Sequence, residues 1–164
     1  MTPLQIEFYA RIGKTLLEVQ LAEHHIQMCL TYFLPTGEAQ SVEEIEALAA
    51  AGRKKTLGTL VKHMRQRIVV AKEFDDKLTK FVDDRNALAH RFLSIEGVTL
   101  STDDGLKKGI EFIKNLSAQA LDVRSTIQGL MRAIDNAPKS DDVEQERYTE
   151  LAKVIFGGQQ PTVT

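Results

Sequence analysis

Two long stretches of the chain repeat apolar residues at the spacing of an α-helix. In each of them an apolar residue returns every three or four positions for about 30 residues, enough for a helix of roughly 45 Å. The first stretch is Leu4–Phe33, which stops before Pro35, and the second is Leu106–Ile134. Long helices bury their apolar faces against each other, so this pattern predicts an all-α, antiparallel helical bundle.

Shorter helical repeats lie between the two long ones. Ser41 and Glu44 have the spacing of a capping box, which predicts a short helix over Val42–Ala51. Thr56 is a suitable N-cap for the next helix, and a further apolar repeat covers Glu73–Leu93. The bundle is therefore expected to contain four main helices and one or two short ones.

The length of the chain, 164 residues, fits one domain that can bury a core of its own. We expect a single helical domain over residues 1–158, with a last helix over 140–156 that begins in an acidic first turn. Residues 159–164 are expected to form a disordered tail. Residues 94–101, with Gly97 near their middle, predict a turn or a small hairpin.

Cysteine usage and hydropathy limit the classes of protein to consider. Cys29 is the only cysteine, so the chain cannot form an internal disulfide. No uncharged apolar run approaches 20 residues and no basic-then-apolar leader is present, which indicates a soluble, cytoplasmic protein outside the membrane. His25 and Cys29 are four residues apart, but no second ligand pair accompanies them, so we expect no metal site and no cofactor.

Positive charge is concentrated in one segment. Seven basic residues and no acidic one occur between Arg53 and Lys72. Such a segment is either a solvated face balanced by the acidic residues of Glu38–Glu46, or a surface that binds phosphate groups. It lies just ahead of the helix predicted over Glu73–Leu93.

That helix carries polar residues where its apolar face is expected. Arg85 falls at the centre of the stripe, where a guanidinium is costly to bury unless it is paired, or unless the stripe opens into a wet cleft or a subunit interface. Asn86 and His90 are four residues apart and therefore lie on one side of the helix. The stripe consists of Phe74, Leu78, Phe81, Val82, Leu88, Ala89, Phe92 and Leu93.

The segment Arg85-Asn86-Ala87-Leu88-Ala89-His90 resembles the motif of the HEPN superfamily, the higher eukaryotes and prokaryotes nucleotide-binding domains. These are small helical bundles whose ribonuclease members carry an Arg, a polar residue, a few more residues and then a His. The predicted helices over residues 1–136 are compatible with that fold, and Thr56-Leu57-Gly58-Thr59-Leu60 is similar to the family's second helix. The last predicted helix, 140–156, lies outside the resemblance.

The resemblance implies metal-independent RNA cleavage in a homodimer whose motif helices face each other across a cleft. In such a site His90 would act as base or acid, Arg85 would hold the phosphate, and Asn86 would orient the histidine or the phosphate. The motif contains one histidine, so the acid and the base would be two copies of His90, or one His90 and water. The RNA backbone would be followed by Lys54, Lys55, Lys62, Arg65 and Arg91.

Two functions from different classes follow from these observations. The first is an endoribonuclease of the toxin or phage-defence kind, with RNA as substrate and an antitoxin protein as a further partner. The second is a non-catalytic adaptor or regulatory module that dimerises through the same stripe and binds a protein or nucleic acid. The nuclease needs His90, whereas the adaptor needs only the apolar residues of the stripe.

Overall fold

The computed structural model describes residues 1–34, 41–52 and 54–136. These residues contain α-helices and turns and no β-strand, so the all-α prediction is confirmed. The last predicted helix, 140–156, and the predicted tail, 159–164, lie outside the described residues. The α-helices are α1 (Pro3–Met28), α2 (Val42–Gly52), α3 (Leu57–Arg67), α4 (Lys72–His90) and α5 (Asp103–Asp135).

Local signals in the sequence set where the helices begin. Thr56 accepts a hydrogen bond from the backbone N–H of Thr59 at the start of α3, as predicted. Thr102 caps α5 in the same way, through the N–H of Gly105 at 3.1 Å. The first long repeat is α1 followed by one π-helical turn, Cys29–Phe33, which completes its predicted length.

Residues 94–101 form the turn rather than the hairpin. α4 ends at His90, and a short 3₁₀ turn, Phe92–Ser94, leads into this segment. Gly97 lies in it with φ of +77°, a left-handed conformation that favours glycine. The backbone therefore reverses here without pairing into strands, and α5 starts a few residues later.

The helix α4 runs antiparallel to the long helix α5. Lys77 forms an ion pair with Asp122 at 2.8 Å, and Gln119 donates to Asp84 at 2.7 Å, so residues later in α4 meet residues earlier in α5. The antiparallel packing that the sequence predicts is found for this helix.

The two longest helices, in contrast, run parallel to each other, so the predicted antiparallel pairing of the long helices is wrong for α1 and α5. Apolar spacing defines which face of a helix is buried and not the direction of its neighbour. Ser117 Oγ donates to Glu18 Oε2 at 2.5 Å, and further along both helices Gln128 Nε2 donates to His25 Nε2 at 2.9 Å. Since α4 is antiparallel to α5, it is antiparallel to α1 as well. The carboxyl ends of α1 and α5 consequently lie at the same end of the molecule.

Arg67, a basic residue of the Arg53–Lys72 segment, has a structural role. Arg67 Nη1 donates to the carbonyl oxygens of Leu30 and Leu34, at 2.5 and 2.6 Å, where the helical hydrogen bonds of the first helix run out. Burial lowers the pKa of Arg67. Beside it, burial raises the pKa of the Cys29 thiol to about 12, so this cysteine stays protonated and unreactive.

Two glycines of α5 make a matched pair for testing the packing. A Cβ at Gly109 would lie 2.8 Å from Phe8 Cε2 and 3.3 Å from Phe92 Cζ, whereas one at Gly129 would meet nothing within 4 Å. We expect Gly109→Ala to lower the free energy of unfolding by about 1–2 kcal/mol through overpacking, and Gly129→Ala to raise it by about 0.5–1 kcal/mol through helix propensity. Urea denaturation measures both, and a Gly109→Ala variant as stable as Gly129→Ala would contradict the packing.

None of the helices in the described residues is long and apolar enough to cross a membrane.

Candidate functional site

The apolar stripe of α4 is buried along only part of its predicted length. Phe74, Leu78 and Phe81 are buried in the main core, but from Val82 onward the side chains are partly or fully exposed. Leu93, the last residue of the predicted stripe, is 63% exposed. The start of α3 lies against Val82, so α3 covers only the first half of α4. In the second half Leu88 still packs against the core, whereas Ala89 and His90 are exposed.

Arg85 lies where the stripe opens. Its Nε donates to Glu23 Oε1 at 2.8 Å, and its Nη1 donates to Asn86 Oδ1 at 3.3 Å. The Arg85 side chain remains 26% exposed and that of Glu23 is nearly as exposed. Both conditions named for this arginine are therefore met within one chain, because it is paired and it also faces solvent.

Glu23 is a site residue that sequence reasoning missed. It lies 62 residues before Arg85 and on another helix, and no motif in the sequence links the two positions. Only the packing of α1 against α4 brings the carboxylate to the guanidinium. Its effect is to hold Arg85 in one orientation, with the second amino group of the guanidinium free of hydrogen bonds to the residues that the structure describes.

His90 is the final residue of α4 and is exposed. Its side chain forms no hydrogen bond within the described part of the chain. Asn86 lies one turn before it and contacts Arg85, so the amide is placed between the two. Arg85 and His90 are five residues apart, which separates them by about 140° around the helix. One chain therefore places Arg85, Asn86 and His90 on neighbouring surfaces without bringing Arg85 and His90 together.

The lysines predicted to follow RNA begin close to this site. Lys54 and Lys55 occupy the turn that leads into α3, and both are exposed. A Cβ at Gly58 in the first turn of α3 would lie 3.8 Å from Val82, which is one helical turn from Asn86. This end of the basic segment therefore lies near the exposed half of α4.

The remaining predicted RNA contacts are spread out. Arg65 is held by Asp75 at 2.5 Å and by Thr79 at 2.7 Å, beside the first half of α4. Lys62 is exposed on α3, and Arg91 is exposed directly after His90. Arg91 is thus adjacent to the site, whereas Arg65 is tied to α4 at Asp75 and Thr79, ten and six residues before Arg85.

The electrostatics of α3 follow from its basic residues. Lys55 Nζ lies 3.3 Å from His63 Nδ1. Burial, followed by the positive charges of Lys55, Arg67 and Lys62, lowers the pKa of His63. The three neighbouring cations contribute to this shift after burial, and positive charge of this kind is what a phosphate-binding surface needs.

Two clefts on the surface lie away from Arg85 and His90. The first has a volume of about 550 Å³ and lies at the connection between α3 and α4, between Arg67 and Lys72. The second, about 450 Å³, lies between the turn at Glu96 and the side chain of Phe112 on α5. In a single chain, therefore, Arg85, Asn86 and His90 form an exposed surface rather than the lining of either cleft.

The described residues contain no group of three or more His, Cys, Asp or Glu side chains arranged to hold a metal ion. Arg85, Asn86 and His90 offer donors and one imidazole, a set suited to anions and proton transfer. Comparison of the chain with known protein families, with characterised proteins and with solved structures found no match.

Proposed function

We propose that this protein is a metal-independent endoribonuclease of the HEPN type, which cleaves RNA at a site formed by two copies of the chain. The observation that carries the proposal is the position of Arg85, which Glu23 and Asn86 hold at the exposed half of α4, one turn from His90. A guanidinium that is held in one orientation, with one amino group left to donate hydrogen bonds, is suited to binding a phosphate group. The exposed imidazole of His90, on another side of the same helix, can supply acid or base chemistry once a second copy of the chain brings it to the guanidinium.

The reaction needs three groups. A base takes the proton of the 2′-hydroxyl, whose oxygen then attacks phosphorus. The 5′-oxygen of the next nucleotide leaves with a proton from an acid, which gives a 2′,3′-cyclic phosphate and a free 5′-hydroxyl. Negative charge that gathers on the phosphate oxygens is stabilised by Arg85. His90 serves as the base or the acid.

A homodimer through α4 accounts for the geometry. Within one chain Arg85 and His90 point about 140° apart around the helix. Two copies of α4 that face each other across a two-fold axis would present His90 of one copy to the Arg85 side of the other. The exposed apolar side chains of Ala89 and Leu93 would lie in such an interface. Lys54, Lys55 and Arg91 would flank it and attract the RNA backbone.

The wider setting of the proposal is a toxin or defence protein of the cytoplasm. Its substrate would be cellular or invading RNA. An antitoxin protein that covers the exposed half of α4 would be a natural partner, because it would block Arg85 and His90 together.

A non-catalytic adaptor remains a second candidate on a specific observation. The ion pair between Arg85 and Glu23 is complete within one chain, as it would be for an arginine that only holds α1 and α4 together. In that case α4 would still form a dimer interface, but RNA would not be cleaved.

The nuclease proposal is tested with purified protein and RNA in the presence of EDTA. We expect cleavage that leaves 2′,3′-cyclic phosphate ends, and Arg85→Ala should lower its rate by about 10²- to 10³-fold, the effect of removing a group that stabilises transition-state charge. Arg11→Ala is the matched control, since Arg11 is also an arginine paired with a glutamate, Glu7 at 2.7 Å. Both variants should keep the helical circular-dichroism spectrum.

Two outcomes would decide against the nuclease. Wild-type protein that leaves a range of RNAs intact would favour the adaptor. Equal loss of cleavage in Arg85→Ala and Arg11→Ala would show that the effect is not specific to the site.

A further inference from the structure

The parallel pair α1 and α5 leaves an apolar seam on the surface. Leu21 lies between Glu18 and His25 on α1, the two residues that hydrogen-bond to α5. Leu121 lies one turn after Ser117 on α5, beside the same line of contact. We call the surface formed by Leu17, Leu21, Leu121 and Arg124 the α1/α5 seam.

The three leucines of the seam are exposed. Leu121, for example, is 46% exposed. A surface helix normally presents polar residues on the side that faces away from the core, and α1 instead continues its apolar character there. Neighbouring exposed leucines on two packed helices indicate a surface that another segment covers.

The α5 side of the seam is basic. Arg124 is three residues after Leu121, on the same face, and its buried Nε has no hydrogen-bond partner among the residues that the structure describes. Lys114 and Arg132 extend this charge by about two to three turns in each direction along α5. Two acidic side chains near the seam are already engaged, Glu18 by Ser117 and Lys14, and Asp122 by Lys77. An occupant of the seam should therefore be both apolar and acidic.

The chain itself carries such a segment directly after α5. Residues 140–156, expected from the sequence to be helical, contain five acidic and two basic residues. Apolar residues recur through this segment near helical spacing, so they can share one face. They are Val143, Tyr148, Leu151, Val154 and Ile155.

Residues 140–156 follow α5 closely enough, and are long enough, to reach the α1/α5 seam. α5 ends at Asp135, and since α1 and α5 are parallel, this end lies beside the carboxyl end of α1. Leu121 lies about 21 Å back along α5 from Asp135, and a helix of residues 140–156 would be about 25 Å long. A helix that turns back at Pro138 can therefore reach Leu121 and Leu17.

We propose that residues 140–156 of the same chain dock as an acidic amphipathic helix on the α1/α5 seam, antiparallel to both helices. Tethering by a few residues gives the segment an effective concentration in the millimolar range, which favours it over a second copy of the chain. Its leucine and isoleucine would cover Leu21 and Leu121, and its carboxylates would pair with Arg124 and its basic neighbours. This inference does not depend on RNA cleavage.

Labelling of an introduced cysteine in the full chain tests the docking. In Leu121→Cys the new thiol would lie under the docked segment, and Val69→Cys is the matched control at a site that is 43% exposed, away from the seam. The native thiol does not interfere, because Cys29 is buried. We expect maleimide to react with Leu121→Cys about tenfold more slowly than with Val69→Cys, as for a site that reacts only when a local segment opens.

A second pair of substitutions shows which segment gives the protection. Leu151→Asp with Ile155→Asp, added to each cysteine variant, should speed labelling of Leu121→Cys about tenfold and leave Val69→Cys unchanged. Equal labelling of the two cysteines in the otherwise native chain would overturn the proposal. Protection that survives the double aspartate substitution would overturn it too, and its loss on dilution would assign the seam to a second copy of the chain.

Discussion

Substituting His90 with alanine is expected to lower the rate of RNA cleavage by about 10²- to 10⁴-fold, the usual contribution of a general acid or base. His90 ends α4 and is exposed. It has no hydrogen bond to the described residues, so its removal should leave the fold and the Arg85–Glu23 ion pair intact. A loss of rate without a loss of stability would therefore belong to chemistry rather than to folding.

Single-turnover cleavage in EDTA, with the protein in excess over the RNA and above the dissociation constant, measures this effect on the chemical step. His24→Ala is the matched control, because His24 is also exposed and lies on α1. Full activity of His90→Ala, in conditions where Arg85→Ala is inactive, would remove the histidine from the mechanism.

Mixing Arg85→Ala with His90→Ala tests whether the site is shared between two copies of the chain. If His90 of one copy works with Arg85 of the other, and water carries the second proton, mixed dimers contain one intact site. Random mixing should then restore about a quarter of the wild-type rate, because half of the dimers are mixed and half of their sites are intact. If both copies of His90 are needed, the mixture stays inactive.

The sequence predicts the helices well because their signals are local. Thr56 and Thr102 mark helix starts through hydrogen bonds to residues three positions later. Apolar spacing marks helix length through the same short-range geometry. These contacts form within one turn, so they can be read without knowing which helices pack together.

Contacts between different helices cannot be predicted from capping residues and apolar spacing. Arg67 belongs to a basic segment that suggests phosphate binding, yet it closes the carboxyl end of the first helix through Leu30 and Leu34. The parallel direction of α1 and α5 is shown by contacts between the two helices, which the spacing of apolar residues does not encode. Long-range partners decide what each charged residue does.

In the candidate site, the positions of residues on one helix were predictable, whereas their contacts with other helices were not. Placing Arg85, Asn86 and His90 on one helix needed only their spacing in the sequence. The ion pair with Glu23 and the opening of the stripe at Val82 depend on how far α3 extends along α4, which is a property of the packed bundle. The structure thus adds the partner that orients Arg85 and the solvent that reaches it.

Phe81→Ala should lower the free energy of unfolding by about 3–5 kcal/mol, whereas Leu93→Ala should change it by less than about 0.5 kcal/mol. Both residues belong to the same apolar stripe in the sequence. Phe81 is fully buried in the main core, so truncation leaves a cavity, while Leu93 is 63% exposed and loses few contacts. Urea denaturation of the two variants at low protein concentration, where a dimer dissociates, measures the difference.

The same pair of variants reports on the proposed dimer when protein concentration is raised. Leu93 would be buried where two copies of α4 meet, so the cost of Leu93→Ala should grow with concentration. The cost of Phe81→Ala should stay nearly constant, since its neighbours are all in one chain. A large cost for Leu93→Ala at every concentration would mean that the second half of α4 is covered within a single chain, which would contradict an open site at Arg85 and His90.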